Sequence, residues 1–366
     1  MAKRVPLDSY CEKKIPTLQN TYNGLIDYID ISSVDNAEKK IISYQTVDAQ
    51  DAPSRAKQLL KKDDIIVSTV RPNLNAVAVV ENETDNLMVG STGYCVLRCK
   101  ENMDTRFLFN FCQSQYFVDD MSSQATGASY PAVSTAIVRN SLIPCYSIEE
   151  QREIAKTLDK LTTLISLRKQ QLAKLDELVK ARFVELFGDP ITNSKNLPTE
   201  RMELRFNLKA GITTAAENIH DFEEGKFEVP CYGGNGIRGY VEEKSYSGNY
   251  PIIGRQGALC GNVQYATGDF HATEHAVLVS ILKDDNTVWV YYLLKLMDLY
   301  RYHTGAAQPG LAVKTLNMVD VIVADRGLQN EFAAFVKQTD KSKSAIQQSL
   351  DKLETLKAAL MQKYFG

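Results

Sequence analysis

Histidine is missing from the first 219 residues of this 366-residue chain; the four present are His220, His271, His275 and His303. Chemistry that needs an imidazole is therefore confined to the C-terminal part. No Cys-x-x-C pair occurs among the seven cysteines, and their odd number in a chain this large points to free thiols in a reducing, cytoplasmic setting rather than a disulfide framework. No run of eighteen apolar residues is present, which excludes a transmembrane helix. The opening MAKRVPLDSYCEKK lacks the apolar stretch of a secretory signal. An excess of positive charge is also lacking: 42 Lys and Arg stand against 45 Asp and Glu, a net charge of −3. A protein that binds DNA unaided is usually basic, so DNA contact would need local surfaces or help from a partner.

What is present is a repeat. Thr126-Gly127-Ala128-Ser129-Tyr130-Pro131 recurs as Thr304-Gly305-Ala306-Ala307-Gln308-Pro309, an offset of 178 residues. The register holds without a gap for 63 residues, placing Gln151 on Gln329, Leu172 on Leu350 and Phe187-Gly188 on Phe365-Gly366. Further upstream, Thr92-Gly93-Tyr94-Cys95-Val96-Leu97 resembles Thr273-Glu274-His275-Ala276-Val277-Leu278 at an offset of 181. A period near 180 residues is domain-sized, far longer than the roughly 20–50 residues of a solenoid unit. The expected architecture is α+β: two related globular parts, 1–147 and 189–326, each followed by a long helix, 148–188 and 327–366. Two related halves imply a pseudo-twofold arrangement.

Each helix carries a heptad seam. In the first it runs Ile154, Leu158, Leu161, Ile165, Arg168, Leu172, Leu175, Val179, Arg182, Leu186; in the second, Phe332, Val336, Thr339, Lys343, Ile346, Leu350, Leu353, Lys357, Leu360, Tyr364. The polar seam positions of the two copies do not coincide, as expected of helices made to pair with each other in an antiparallel coiled coil. The apolar members, from Ile154 to Val179 and from Val336 to Leu360, form the expected interface. Ser147 and Glu150 fit a capping box at the first start, and Gly188 and Pro190 a stop. Glu149 to Phe187 would span roughly 58 Å as a helix, beyond what covering one domain requires.

In the globular parts, Asp64–Val80 reads as two strands around an Arg71-Pro72-Asn73 turn, and Tyr250–Gln264 as two strands around GRQGALCG. Phe107–Met121 and Val288–His303 read as helices, and Leu142-Ile143 and Val321–Val323 as short strands. Glycine-bearing polar loops let a backbone approach a ligand closely. Their Arg, Asn and Gln side chains are those that read guanine and adenine edges bidentately. The candidate DNA-reading residues are Arg71, Asn73, Gln124 and Tyr130 in the first part, and Asn235, Arg238, Arg255, Gln256 and Gln308 in the second.

Catalytic motifs fail their context tests. His271-Ala272-Thr273-Glu274-His275 matches H-x-x-E-H, which binds zinc only on a helix, but the flanking residues are strand-like, so no metal site is expected. There is no phosphate loop of the G-x-x-x-x-G-K-[ST] type. Adjacent prolines, shared by adenine methyltransferases, never occur, and Pro144-Cys145 and Pro230-Cys231 lack the glycine-rich cofactor loop that a cytosine methyltransferase needs.

Ile143-Pro144 with Glu149-Glu150-Gln151-Arg152-Glu153-Ile154-Ala155, the Thr-Gly-Ala-x-x-Pro segment, Leu186-Phe187-Gly188, VPCYGGNGIRGYVEE from Val229 and PIIGRQGALCGNV from Pro251 together resemble the specificity subunits of type I restriction–modification enzymes. The likeness covers the whole chain in order. One departure is Asp325-Arg326-Gly327-Leu328, which replaces the proline and glutamate at the second helix start. The resemblance implies a non-catalytic, sequence-specific subunit. Each globular part would read half of a bipartite double-stranded DNA target, and the helices would set the spacing and dock two methyltransferase subunits. S-adenosylmethionine would then sit in the methyltransferase subunits, and ATP and magnesium in motor–nuclease subunits where these join; no cofactor is expected in this chain. The alternatives are a stand-alone DNA-modifying or DNA-cleaving enzyme with a fused coiled coil, and a coiled-coil scaffold with no DNA role.

Overall fold

The computed structural model describes residues 3–305 and 309–366. The chain divides after Lys169 and after Gln347 into two compact units, so that the first combines the N-terminal part with Gln348–Gly366 and the second is Gln170–Gln347. Each is an α+β body.

In the first unit a three-stranded antiparallel sheet, ordered Tyr94–Leu97, Ile65–Ser68, Val77–Val79, lies between two cores. Strand side chains alternate between faces. Ile65, Val67, Val77, Val79, Cys95 and Leu97 join the helical core around Phe107 and Phe111. Ile66, Ala78, Tyr94 and Val96 enter a second core with Ile29, Leu60 and Met88. That second core is backed by a four-stranded sheet, Gln45–Asp48, Leu25–Ile29, Leu87–Ser91, Ala56–Leu59. Burial on both faces explains why these strands read as continuous apolar runs.

The second unit repeats the sorting. Its sheet, Phe206–Ala210, Ala276–Ile281, Tyr250–Gly254, Val263–Ala266, sends Phe206, Leu208, Ile253, Val263, Val277 and Val279 to a helical core around Trp289. Ile252, Ala266, Ala276 and Leu278 go to a smaller core with Phe270 and Ala272. A further sheet carries the hairpin Val229–Gly233 and Gly236–Val241.

Two helix expectations need correction. Phe107–Met121 is two helices, Thr105–Cys112 and Gln115–Ser123, because Ser114 starts the second by accepting the Phe117 N–H at 3.2 Å. Val288–His303 is helical only over Thr287–Leu296; Asp298, at φ 49°, turns the chain into a short 3₁₀ segment, Leu299–Tyr302.

The long helices run Ile148–Phe187 and Arg326–Phe365, 40 residues each, and pack together. In the first unit Ile154, Ala155 and Leu158 share a core with Leu360, Met361, Tyr364 and Phe365. In the second, Val179, Phe183 and Phe187 share one with Phe332 and Val336. The start of one helix meets the end of the other in both cases, so the pairing is antiparallel. Leu161 and Leu350 are buried, while Ile165, Leu172, Leu175, Ile346 and Leu353 are half-buried. Lys169–Glu354 at 3.1 Å flanks the seam, and Lys343, itself a seam position, pairs with Asp176.

Both helix starts are capped, by different residues. Ser147 Oγ accepts the Glu150 N–H at 3.2 Å and Glu150 Oε2 accepts the Ser147 N–H at 2.8 Å, a reciprocal capping box. At the divergent second start Asp325 Oδ1 accepts the Leu328 N–H at 3.1 Å, so the lost proline and glutamate leave no uncapped helix. One turn in, each helix buries a glutamine. Gln151 Oε1 accepts the backbone N–H of Asp104 at 2.9 Å, and its Nε2 donates to the Tyr146 carbonyl at 3.0 Å. Gln329 Oε1 accepts the N–H of Asn286 at 2.7 Å, and its Nε2 donates to the Ala324 carbonyl at 3.0 Å. Asp104 and Asn286 are the N-caps of Thr105–Cys112 and Thr287–Leu296. The long helix and the helix of the globular body are thus tied at the same point in both units.

Candidate nucleic-acid interface

The Thr-Gly-Ala-x-x-Pro segments are fastened to the sheets by the same set of backbone hydrogen bonds. In the first unit the Thr69 N–H donates to the Gly93 carbonyl at 2.9 Å, the Val133 N–H to Thr69 at 2.9 Å and the Arg71 N–H to Pro131 at 2.7 Å, while Thr126 and Ala132 exchange bonds at 3.0 and 2.8 Å. In the second unit the Arg255 N–H donates to His275 at 3.0 Å, the Leu311 N–H to Arg255 at 2.8 Å and the Gly257 N–H to Pro309 at 3.0 Å, while Thr304 and Gly310 exchange bonds at 2.8 and 2.9 Å. This latch equates Thr69, Val70 and Arg71 with Arg255, Gln256 and Gly257. It also equates Gly93 with His275 and Tyr94 with Ala276, one residue beyond the register expected from the sequence. The reason is the alternation of strand faces: the slipped register would place Ala276, which lies in the small core, on Cys95, which lies in the helical core.

From the latch each sheet hairpin extends a five-residue turn, Arg71–Asn75 or Gly257–Gly261. Both turns begin and end in the left-handed region, at φ 50° and 47° in the first and 83° and 85° in the second. Glycine takes this conformation freely, whereas an arginine or asparagine pays for it in strain. At Gly261 an added Cβ would lie 2.5 Å from the Tyr300 nitrogen, so the turn also sits tightly on the body.

In the first unit Arg71, Asn73 and Tyr130 are exposed together near the latch. The Arg71 guanidinium lies 4.9 Å from the Tyr130 ring centroid, and Tyr130 is 70% exposed. Such stacking holds the arginine's fork extended while leaving its N–H groups free for a ligand. Gln124 is exposed, but its amide is taken up by Asp120 of its own helix, 2.7 Å from Oδ1.

In the second unit the tip of the Val229–Val241 hairpin crosses the strand ends. Gly234 lies so close that a Cβ on Gly254 would be 1.9 Å from its carbonyl oxygen. This crossing brings Asn235, bonded to Asn262, beside Arg255 and the exposed Gln256. The Arg255 Nε is buried without a hydrogen-bond partner among the described residues. Arg238 is exposed on the outgoing strand of the hairpin. Gln308 lies outside the described residues.

Sequence reasoning missed Asn262, Glu274 and His275 in this group. Glu274 Oε2 accepts the Thr214 N–H at 3.3 Å, and its Oε1 lies 3.3 Å from His275 Nε2. The H-x-x-E-H match had marked the segment for a different chemistry. His271 lies on the strand Asp269–Ala272 and His275 in the turn after it, so the four-residue helical spacing does not apply. His271 instead shares a 2.8 Å hydrogen bond with Thr214 Oγ1, and burial lowers its pKa. Cys231 is fully buried, and burial pushes its thiol up to about 11 against the opposing influence of Arg238. A nucleophile needs a thiolate, so this is a structural cysteine.

Comparison with known proteins gives a family. The family described as type I restriction modification DNA specificity domain matches residues 7–177 and 206–356. The EcoprrI specificity subunit of a type I restriction enzyme from Escherichia coli is 35% identical over 261 residues, 66% of this chain; the match spans 63% of that relative's length. A type I restriction–modification S subunit from M. genitalium superposes with a TM-score of 0.66 at 18% identity, over 100% of this chain and 96% of the other. A chain from a structure on complex assembly and conformational transition of the type I restriction–modification system gives 0.63 at 23% identity, over 99% and 97%. The last two likenesses concern the fold. With the family matched over both halves, this chain belongs to the type I restriction–modification DNA specificity domain family.

Proposed function

We propose that the chain is the specificity subunit of a type I restriction–modification enzyme and reads a bipartite double-stranded DNA target, one half-site per globular part. The observation that carries this reading is the latch built twice with different side chains around it. One backbone frame presents Arg71, Asn73 and Tyr130 in one unit and Arg255 and Gln256 in the other, where the crossing hairpin adds Asn235. Arg238, Gln308 and Gln124 stand beside these as secondary candidates. Residues 1–147 and 189–326 act as the readers, and 148–188 and 327–366 as the helical spacer that sets the gap between half-sites and docks two methyltransferase subunits. S-adenosylmethionine bound in those subunits supplies the methyl group for an adenine flipped from the duplex. Motor–nuclease subunits, which hold ATP and magnesium, complete the restriction enzyme. Phosphate contacts from the partner subunits offset the net charge of −3 on this chain.

The test is methylation-aware sequencing of DNA from cells that carry the chain with its methyltransferase. The expected result is one bipartite motif. A bidentate base contact is worth about 1–3 kcal/mol of discrimination, so Arg255→Ala relaxes one half-site and leaves the other unchanged. Methyl transfer or cleavage by the purified chain alone would instead identify a stand-alone enzyme.

A further inference from the structure

Each reading turn carries an exposed leucine at its tip. Leu74 is 47% exposed and Leu259 is 55% exposed. Neither is loosely held. The Leu74 N–H donates to the Arg71 carbonyl at 2.9 Å, and in the second turn the Cys260 N–H donates to Gly257 at 3.0 Å while the Cys260 side chain is buried. Left-handed residues bound both turns, so the backbone that presents each leucine has little freedom. A lone exposed leucine calls for no explanation. Two at matched turns, one place apart, stand beside Arg71 and Asn73 in one unit and Arg255 and Gln256 in the other.

We infer that Leu74 and Leu259 are specificity-determining residues, each pressed against the C5 methyl of a thymine in the major groove of its own half-site. This rests on the reading of the two globular parts as DNA readers. The polar neighbours have the chemistry of the major-groove base edges, and among the groups displayed there the thymine methyl is the apolar one. The latch equates Leu259 with Asn73, so the two leucines stand one place apart in otherwise equivalent turns. A shared backbone thereby asks for a methyl at a different place in each half-site.

The experiment uses the complex of this chain with its methyltransferase and a duplex bearing the motif found by sequencing. In a series of duplexes each thymine in turn becomes deoxyuridine, which removes the methyl and nothing else. One position in each half-site should weaken binding about fourfold, the equivalent of one buried methyl group. Leu74→Ala should abolish that sensitivity in the first part's half-site and leave the other; Leu259→Ala should do the reverse. Both variants should melt like the parent. If the bipartite motif stands but no deoxyuridine changes affinity, the inference is wrong and the DNA-reading function survives. If no bipartite motif exists, the functional reading itself fails. Leucine-dependent brightening of 2-aminopurine in the half-site would show a wedge between base steps and overturn the methyl contact. Loss of methyltransferase assembly in Leu74→Ala or Leu259→Ala would assign the leucines to a protein partner and overturn it too.

Discussion

The two turns proposed to read DNA differ in the side chains they present and agree in their backbone geometry. Arg71-Pro72-Asn73-Leu74-Asn75 and Gly257-Ala258-Leu259-Cys260-Gly261 have the same length, the same left-handed ends and the same latch beneath them. In the first, the left-handed position carries an arginine despite the strain. In the second it is a glycine, and the arginine has moved two places back to Arg255, onto the strand end. A duplicated frame has kept its backbone bonds and varied its side chains. Under the proposed function, the half-sites read by the two parts can diverge without refolding either.

The strongest way to break this equivalence is in the cores. Phe187 packs 5.8 Å from Trp289 and 5.9 Å from Phe332, while its counterpart Phe365 packs 5.2 Å from Phe107 and 5.8 Å from Phe111. Alanine at either position should cost about 3–5 kcal/mol, read by urea denaturation. A change below 1 kcal/mol at either would show that the helix ends do not complete the cores.

The buried glutamines should rank next, and unequally. Gln151→Leu leaves the Asp104 N–H without its acceptor, a loss of about 1–3 kcal/mol. Gln329 also donates to Asp285 Oδ1 at 2.9 Å, within the buried Arg205–Asp285 ion pair. Gln329→Leu should therefore cost more than Gln151→Leu in matched denaturation curves. Equal losses would mean that the bond to the carboxylate adds nothing.

At the turns the exchange should be smaller and opposite in sign. Arg71→Gly relieves left-handed strain and should stabilise the first unit by about 1 kcal/mol while relaxing its half-site. Gly257→Ala meets nothing within 4 Å but forces alanine to φ 83°, and should cost about 1 kcal/mol. Thermal melting and methylation-aware sequencing report the two effects separately.

The smallest contrast is in pH. His271 is half-buried in the second unit, and loss of hydration of the charged ring lowers its pKa. The unfolded chain takes up a proton near pH 6.5 that the folded site resists. Stability from this source is present above that pH and is lost as the pH falls below it. The first unit holds no histidine. Denaturation from pH 7.5 to 5.5 should show a weakening that His271→Gln removes; a wild-type slope unchanged in His271→Gln would exclude this origin.

Much of the frame was legible in the sequence, because helix seams and turn glycines leave periodic marks. Ser147 and Glu150 announce a helix start, and the matched Gln151 and Gln329 mark equivalent sites, although their hold on Asp104 and Asn286 depends on tertiary packing. The sites were harder. Gln124 belongs to a plausible residue class, yet Asp120, one turn back, occupies its amide. Glu274 and His275 were visible in a misleading motif, and their neighbourhood with Arg255 arises from a hydrogen bond across strands that no local spacing encodes. The register slip at Gly93 has the same origin: sequence similarity aligned two turns, while the alternation of buried faces decides the pairing.

The Phe365 ring has a consequence for how the molecule is made. The second unit is one uninterrupted stretch, Gln170–Gln347, whereas the first needs Gln348–Gly366. Phe365 is fully buried in the first unit's core, against Phe107 and Phe111. At a synthesis rate of roughly 5–20 residues per second, the first body waits about 10–40 s for the segment that closes it. In that interval the part of the core that Phe365 fills stays open, and the later unit gains its last residue, Gln347, about 1–4 s before Phe365 is made. The N-terminal body thereby loses the head start that synthesis order usually gives, and a chaperone would find an open apolar surface on the older half of the nascent chain.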